Sequence, residues 1–268
     1  MSTNMEHIEL QTEKGQDMVR VGSNWMVVCD GHGKGKVIKH LRTLPWDELV
    51  MLPNPIATLN KSIRTLSDTY YDGATFSMVR LTDDGIECLW VGDSQIRVYA
   101  DGKEVWRSTN HDRSNEGEID RVLQEGGHIS ESWAMSVMDE QTITMEQSKY
   151  FDFDGRERLA VSRALGHNEQ FMPVVEHHLI PFSEANWKVV VATDGVWDMT
   201  CQGDDAFLSS DDTGASDIAD LAQDRWNQPW TYKHPMTICT CTHGERISSD
   251  QDDIGVAVWR SSNAPNLI

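Results

Sequence analysis

Residues 25–32 read Trp-Met-Val-Val-Cys-Asp-Gly-His. Five apolar residues run straight into an aspartate and a glycine. A short apolar run bounded by turn residues is the pattern of a buried strand. The pattern returns as KVVVATDG at residues 188–195 and, reversed, as DDIGVAVW at residues 252–259. Three apolar runs therefore lead into or out of aspartate. If the last strand runs opposite to the other two, Asp30, Asp194 and Asp252 converge at one edge of the core.

Further apolar runs at residues 74–81, 86–91 and 96–100 are read as strands. Asp84-Gly85 and Asp101-Gly102 join runs in the manner of hairpins, which implies antiparallel pairing. Residues 56–70 carry Ile56, Leu59, Ile63, Leu66 and Tyr70 at steps of three and four, one stripe of a helix. Residues 116–125 form a second expected helix, stopped by Gly126-Gly127. Ser216 is expected to cap a third, with Ile218, Leu221 and Ala222 facing inward. Strands clustered in hairpins with helices set apart predict an α+β layered sandwich. No repeat or low-complexity linker divides the 268 residues, so one domain is expected.

The net charge of −20 disfavours nucleic acid and anionic membrane surfaces as partners. No stretch has the length of a membrane span, and the N-terminus lacks a secretory pattern. Five cysteines, an odd number, fit reduced thiols, Cys239-x-Cys241 included. A cytoplasmic or nuclear, non-secreted monomer is the expectation.

Three carboxylates cannot share a small space as bare anions. A divalent cation resolves the repulsion, and an all-oxygen donor set selects magnesium or manganese. Asp-Gly also occurs at Asp72, Asp84, Asp101 and Asp154, where a turn suffices as the reason. After Asp30 and Asp194 no hairpin continues. Glycine there lets backbone approach an ion, so the Gly31 carbonyl is a candidate ligand. His32, two residues beyond Asp30, is a candidate general acid because an imidazole titrates near neutral pH.

The ordered series DGHG (30–33), DGATF (72–76), VGDSQIRVY (91–99), LAVSRALGH (159–167), ATDGVWDM (192–199) and DDIGVAV (252–258) resembles the type 2C metal-dependent protein phosphatase family. The resemblance runs from about Gly15 to Arg260. It implies a four-layer α-β-β-α sandwich, with two central antiparallel sheets flanked by helices. It also implies two magnesium or manganese ions at one end of the sandwich, and a weaker third. In that pattern Asp30 resembles the carboxylate bridging both metals, and Gly31 the carbonyl ligand. Asp194 and Asp252 resemble ligands of one metal, and Asp17 the acidic residue near the other. Asp93 and Asp198 resemble ligands of the third ion. His32 resembles the acid that protonates the leaving oxygen. Residues 109–127 and 130–158 resemble the variable flap.

The activity so implied is hydrolysis of phosphoserine and phosphothreonine in a phosphoprotein substrate, by a metal-activated water and without a covalent intermediate. The chain departs from the pattern at three places. No arginine stands shortly before Asp17, where Lys14 is the candidate phosphate-binding substitute. Gln16 stands where many members have glutamate. His167 replaces the aspartate after SRALG. The alternatives are a pseudophosphatase that binds phosphoprotein without turnover, and a two-metal phosphoesterase acting on a small molecule.

Overall fold

The computed structural model describes residues 3–152, 158–167, 174–234, 237–242 and 251–261. The strands are β1 (Thr3–Leu10), β2 (Asp17–Val21), β3 (Trp25–His32), β4 (Gly73–Ala74), β5 (Phe76–Leu81), β6 (Gly85–Val91), β7 (Gln95–Ala100) and β8 (Lys103–Arg107). They continue with β9 (His128–Asp139), β10 (Thr142–Asp152), β11 (Leu165–Gly166), β12 (Glu176–Pro181), β13 (Trp187–Ala192), β14 (Thr231–His234), β15 (Thr237–Thr242) and β16 (Ile254–Ser261). The helices are α1 (Lys36–Leu41), α2 (Trp46–Leu49), α3 (Pro55–Ile63), α4 (Glu116–Gln124), α5 (Asp194–Trp197), α6 (Asp205–Ser209) and α7 (Ala215–Asn227).

One large sheet has the order β11-β4-β3-β5-β6-β12, with β2 added against β3; the other has the order β1-β16-β13-β7-β8. Both are antiparallel throughout. Alternation along each strand assigns its side chains to layers, because successive residues face opposite sides of a sheet. Trp25, Val27 and Cys29 of β3 pack with Val37, Leu41 and Leu59 of α1 and α3. Met26 and Val28 turn the other way and meet Val189, Val191 and Ala257 of the facing sheet. Val190 of β13 and Val256 and Val258 of β16 face outward, against Ile218, Ala222 and Trp226 of α7. Three apolar interiors therefore separate four layers, helix on sheet on sheet on helix, as the sequence implied.

Three details depart from expectation. The helix over residues 56–70 ends at Ile63. Turns follow, and Asp68 takes φ 59°, a left-handed value that an α-helix cannot continue through. Ser216 does not cap the third helix: α7 begins one residue earlier, and Gly214 N–H donates to Asp217 Oδ2 at 2.7 Å. The segment expected as a variable flap contains a regular hairpin, β9–β10, extended by β14 in parallel pairing and then by β15. Residues 153–157 of that segment, and with them Asp154-Gly155, lie outside the described residues, as do the side chains of Cys239 and Cys241.

Candidate active site

The end of β3 and the start of β16 lie at one edge of the sandwich. In the β2–β3 pairing Asp17 stands directly across from Asp30. Asp30 is held by its backbone: its N–H donates to Thr75 Oγ1 at 2.9 Å, and its carbonyl accepts the Thr75 N–H at 2.8 Å. Gly31 N–H donates to the Gln16 carbonyl at 3.0 Å, locking the two strand ends together. In the facing sheet β13 pairs antiparallel with β16, Ala192 opposite Val256. The residues after one strand therefore meet those before the other. Gly195 is required at that junction, since a Cβ would collide with the Asp253 carbonyl oxygen.

Of the two aspartates before β16, Asp253 serves the scaffold. Its Oδ1 accepts Thr12 Oγ1 at 2.7 Å and its Oδ2 accepts the Gln16 N–H at 2.5 Å. These bonds tie the segment before Asp17 to β16. Asp252 is left facing the cluster. Thr193 joins the two sheets: its Oγ1 donates to Asp17 Oδ2 at 2.7 Å and accepts the Gly255 N–H at 3.0 Å.

The carboxyl groups so assembled disfavour their own ionisation. Burial pushes the Asp30 carboxyl well above the usual range, and Asp194, Asp17 and Asp252 add to it by repulsion. Burial raises Asp17 likewise, against the hydrogen bond from Thr193. Asp194 is raised by burial and then by Asp93 and Asp198. Burial, Asp112 and Asp198 lift Asp93 to about 7. Asp198 is exposed at the rim, yet surrounding protein lifts its carboxyl to about 6, with Arg113 pulling the other way.

All the acidic residues expected from the sequence are thus neighbours. Among the described residues no three His, Cys, Asp or Glu side chains form a ready-made ligand set around one point. The donor chemistry nonetheless fits a hard divalent cation. The groups are carboxylate oxygens, crowded and mutually repelling, and buried Asp93 Oδ1 has no hydrogen-bond partner among the described residues. Asp30, Asp194, Asp252, Asp17, Asp93, Asp198 and the Gly31 carbonyl are the groups available to hold such ions.

Lys14 is exposed, yet its ammonium is paired. Its Nζ lies 3.0 Å from Asp252 Oδ1, and although burial opposes it, that carboxylate raises the ammonium's pKa. His32 stands beside the cluster with its Nε2 2.6 Å from His167 Nε2. The backbone makes room for this pair at Gly73, where a Cβ would strike both rings. Burial, then the neighbouring His167, brings the His32 pKa down to about 3. The imidazole is neutral in this arrangement, and an approaching phosphate dianion favours its protonation.

Thr75, Thr193 and Asp253 lie inside the quoted motifs, but the sequence reading gave them no role of their own. Their roles arise from strands far apart in the chain.

A family model described as protein phosphatase 2C matches residues 21–204. Lys14, Asp17 and Asp252 lie outside the matched residues. No curated protein sequence matches the chain. Among solved structures, the chain is similar to PppA of Pseudomonas aeruginosa, described as a key regulatory component of its T6SS. The two share 15% identity at a TM-score of 0.58, over 98% of this chain and 99% of that one. The PPM Ser-Thr phosphatase MsPP of Mycobacterium smegmatis, solved with cacodylate, shares 16% identity at 0.59, over 97% of each chain. The catalytic domain of the serine threonine protein phosphatase PstP, solved with 2 manganese ions, shares 14% identity at 0.53, over 97% and 99%.

Proposed function

This chain belongs to the protein phosphatase 2C family, and from that premise we propose that it hydrolyses phosphoserine and phosphothreonine in proteins with the aid of magnesium or manganese. The observation that carries the proposal is the convergence of Asp17, Asp30, Asp194 and Asp252, where burial and the neighbouring carboxylates raise Asp17, Asp30 and Asp194. Buried like charges are costly, and a fold keeps them where a bound cation offsets them.

Asp30, Asp194, Asp252 and Asp17 would hold two ions, with the Gly31 carbonyl, and Asp93 and Asp198 a weaker third. Such ions supply charge that acidifies water and offsets the phosphoryl oxygens. His32 takes up a proton from solvent as the phosphate approaches and delivers it to the leaving serine or threonine oxygen. Gly73 and His167 keep that ring at the mouth of the cluster. Among the described residues no cysteine is assigned as a nucleophile: Cys29 and Cys88 are buried free thiols, and burial pushes both up in pKa. Free thiols support a reducing compartment, cytoplasm or nucleus. No helix among the described residues is long and apolar enough to cross a membrane.

One contact favours the second reading, a phosphoprotein-binding pseudophosphatase. The Lys14 ammonium sits on Asp252, where a metal ion would otherwise bind. Release of phosphate from a phosphothreonine peptide decides between them. Turnover that needs manganese or magnesium and disappears with chelator is expected. Phosphopeptide binding without turnover in manganese selects the second reading.

A further inference from the structure

Arg113 lies on the loop between β8 and α4 and lines a cavity of about 440 Å³. Asp198 and Trp197 also line that cavity, as do Ser136, Glu146 and Ser148 of the β9–β10 hairpin. The cavity therefore reaches the carboxylate cluster at Asp198. Arg113 is half-buried and fixed in place. Its backbone N–H donates to the Ala160 carbonyl at 3.1 Å. Its Nη1 donates to the Tyr150 hydroxyl at 2.9 Å, with the guanidinium carbon 5.3 Å from the Tyr150 ring centre.

A guanidinium beside carboxylates has two uses. As a counter-ion it closes to ion-pair distance, as Arg163 does on Glu118 and Arg225 on Asp204, each at 2.6 Å. Arg113 makes no such pair among the described residues. Tyr150 takes one of its N–H groups without neutralising it, and the other donors and the full charge remain. The remaining use is to grip an anion. The other cations nearby are engaged: Lys149 with Glu116 at 3.2 Å and Lys14 with Asp252 at 3.0 Å.

We infer that Arg113 is a phosphate-binding residue, its guanidinium donating to the phosphoryl oxygens of the substrate while Tyr150 holds its plane. The inference rests on the phosphatase reading for the identity of the anion. It assigns to the loop before α4 the fork-shaped donor that the stretch before Asp17 lacks.

Calorimetric titration of the manganese-loaded protein with inorganic phosphate tests it, beside steady-state kinetics on a phosphothreonine peptide. Arg113→Ala should weaken phosphate binding roughly tenfold to a hundredfold, the range for a charge-assisted contact. Arg113→Lys keeps the charge without the fork and should lose less, about threefold to tenfold. Tyr150→Phe should cost about twofold to fivefold. In kinetics KM should rise more than kcat falls. Phosphate affinity within twofold of wild type in a folded Arg113→Lys or Arg113→Ala protein overturns the inference, as does a wild type that binds no phosphate at millimolar concentration. A wild type that binds phosphate through Arg113 yet hydrolyses no phosphopeptide upholds the inference and overturns the phosphatase reading alone.

Discussion

His32 and His167 face one another through their Nε2 atoms, 2.6 Å apart, with ring centres at 4.8 Å. The third partner settles where the protons are. His167 Nδ1 lies 3.0 Å from the Tyr70 carbonyl oxygen, which can only accept. The His167 proton is therefore on Nδ1, and its Nε2 accepts from His32 Nε2–H. Burial holds His167 at about 4 and His32 at about 3, so both rings are neutral at pH 7. The histidine that replaces the expected aspartate thus fixes the tautomer and direction of His32 without adding charge.

If His32 delivers the proton to the leaving oxygen, His32→Ala should lower kcat on a phosphothreonine peptide by roughly 10²–10⁴. The loss should be much smaller on an aryl phosphate, whose leaving group needs little protonation. His167→Ala should show the same substrate dependence with a loss of about tenfold. Parallel kinetics on both substrates check this, and equal losses on the two would remove His32 from the acid role.

The carboxylate cluster ties function to a stability cost. Asp30→Asn removes a buried charge that Asp194, Asp17 and Asp252 repel. Without metal the variant should melt about 2–6 °C above wild type. It should also lose the melting-temperature gain that manganese gives the wild type. Thermal denaturation with and without manganese reads both effects.

Lys14 competes with any ion that binds at Asp252, since its ammonium already lies 3.0 Å from Oδ1. Lys14→Ala should therefore tighten manganese binding about threefold to tenfold. Calorimetric titration of manganese into the two proteins measures it. Unchanged or weaker binding would mean that Lys14 plays no part as a counter-ion.

Glu118 supplies the pH dependence. Burial pushes its carboxyl up, but hydrogen bonds from Arg163, Ser162 and Arg121 outweigh burial and hold it at about 2, against 4.5 when free. A lowered carboxyl pKa stabilises the folded state above pH 4.5, and that stability is lost as pH falls from 4.5 through 2. The loss should be on the order of 3 kcal/mol. Glu118→Gln should be less stable at pH 7 and should show a flatter decline below pH 4.5. Urea denaturation at stepped pH checks the slope.

What the sequence determined by itself was local in origin. The apolar runs WMVVC, KVVVA and IGVAVW carry the buried strands. Asp84-Gly85 and Asp101-Gly102 carry their hairpins. The six ordered motifs carry the family. The aspartates at strand ends were legible because a strand's end is a local event. The tertiary structure decided everything that depends on which ends meet. It gave Asp253 its place in the scaffold, through Thr12 and Gln16. It broke the helix over residues 56–70 at Ile63, where chain reversal outweighed an apolar stripe. It set Lys14 on Asp252 across 238 positions. It also brought Arg113 to Tyr150 beside Asp198, with no motif to announce it. Periodicity acts over a few residues, whereas the field around a carboxylate depends on distance in space, which the chain acquires only by folding.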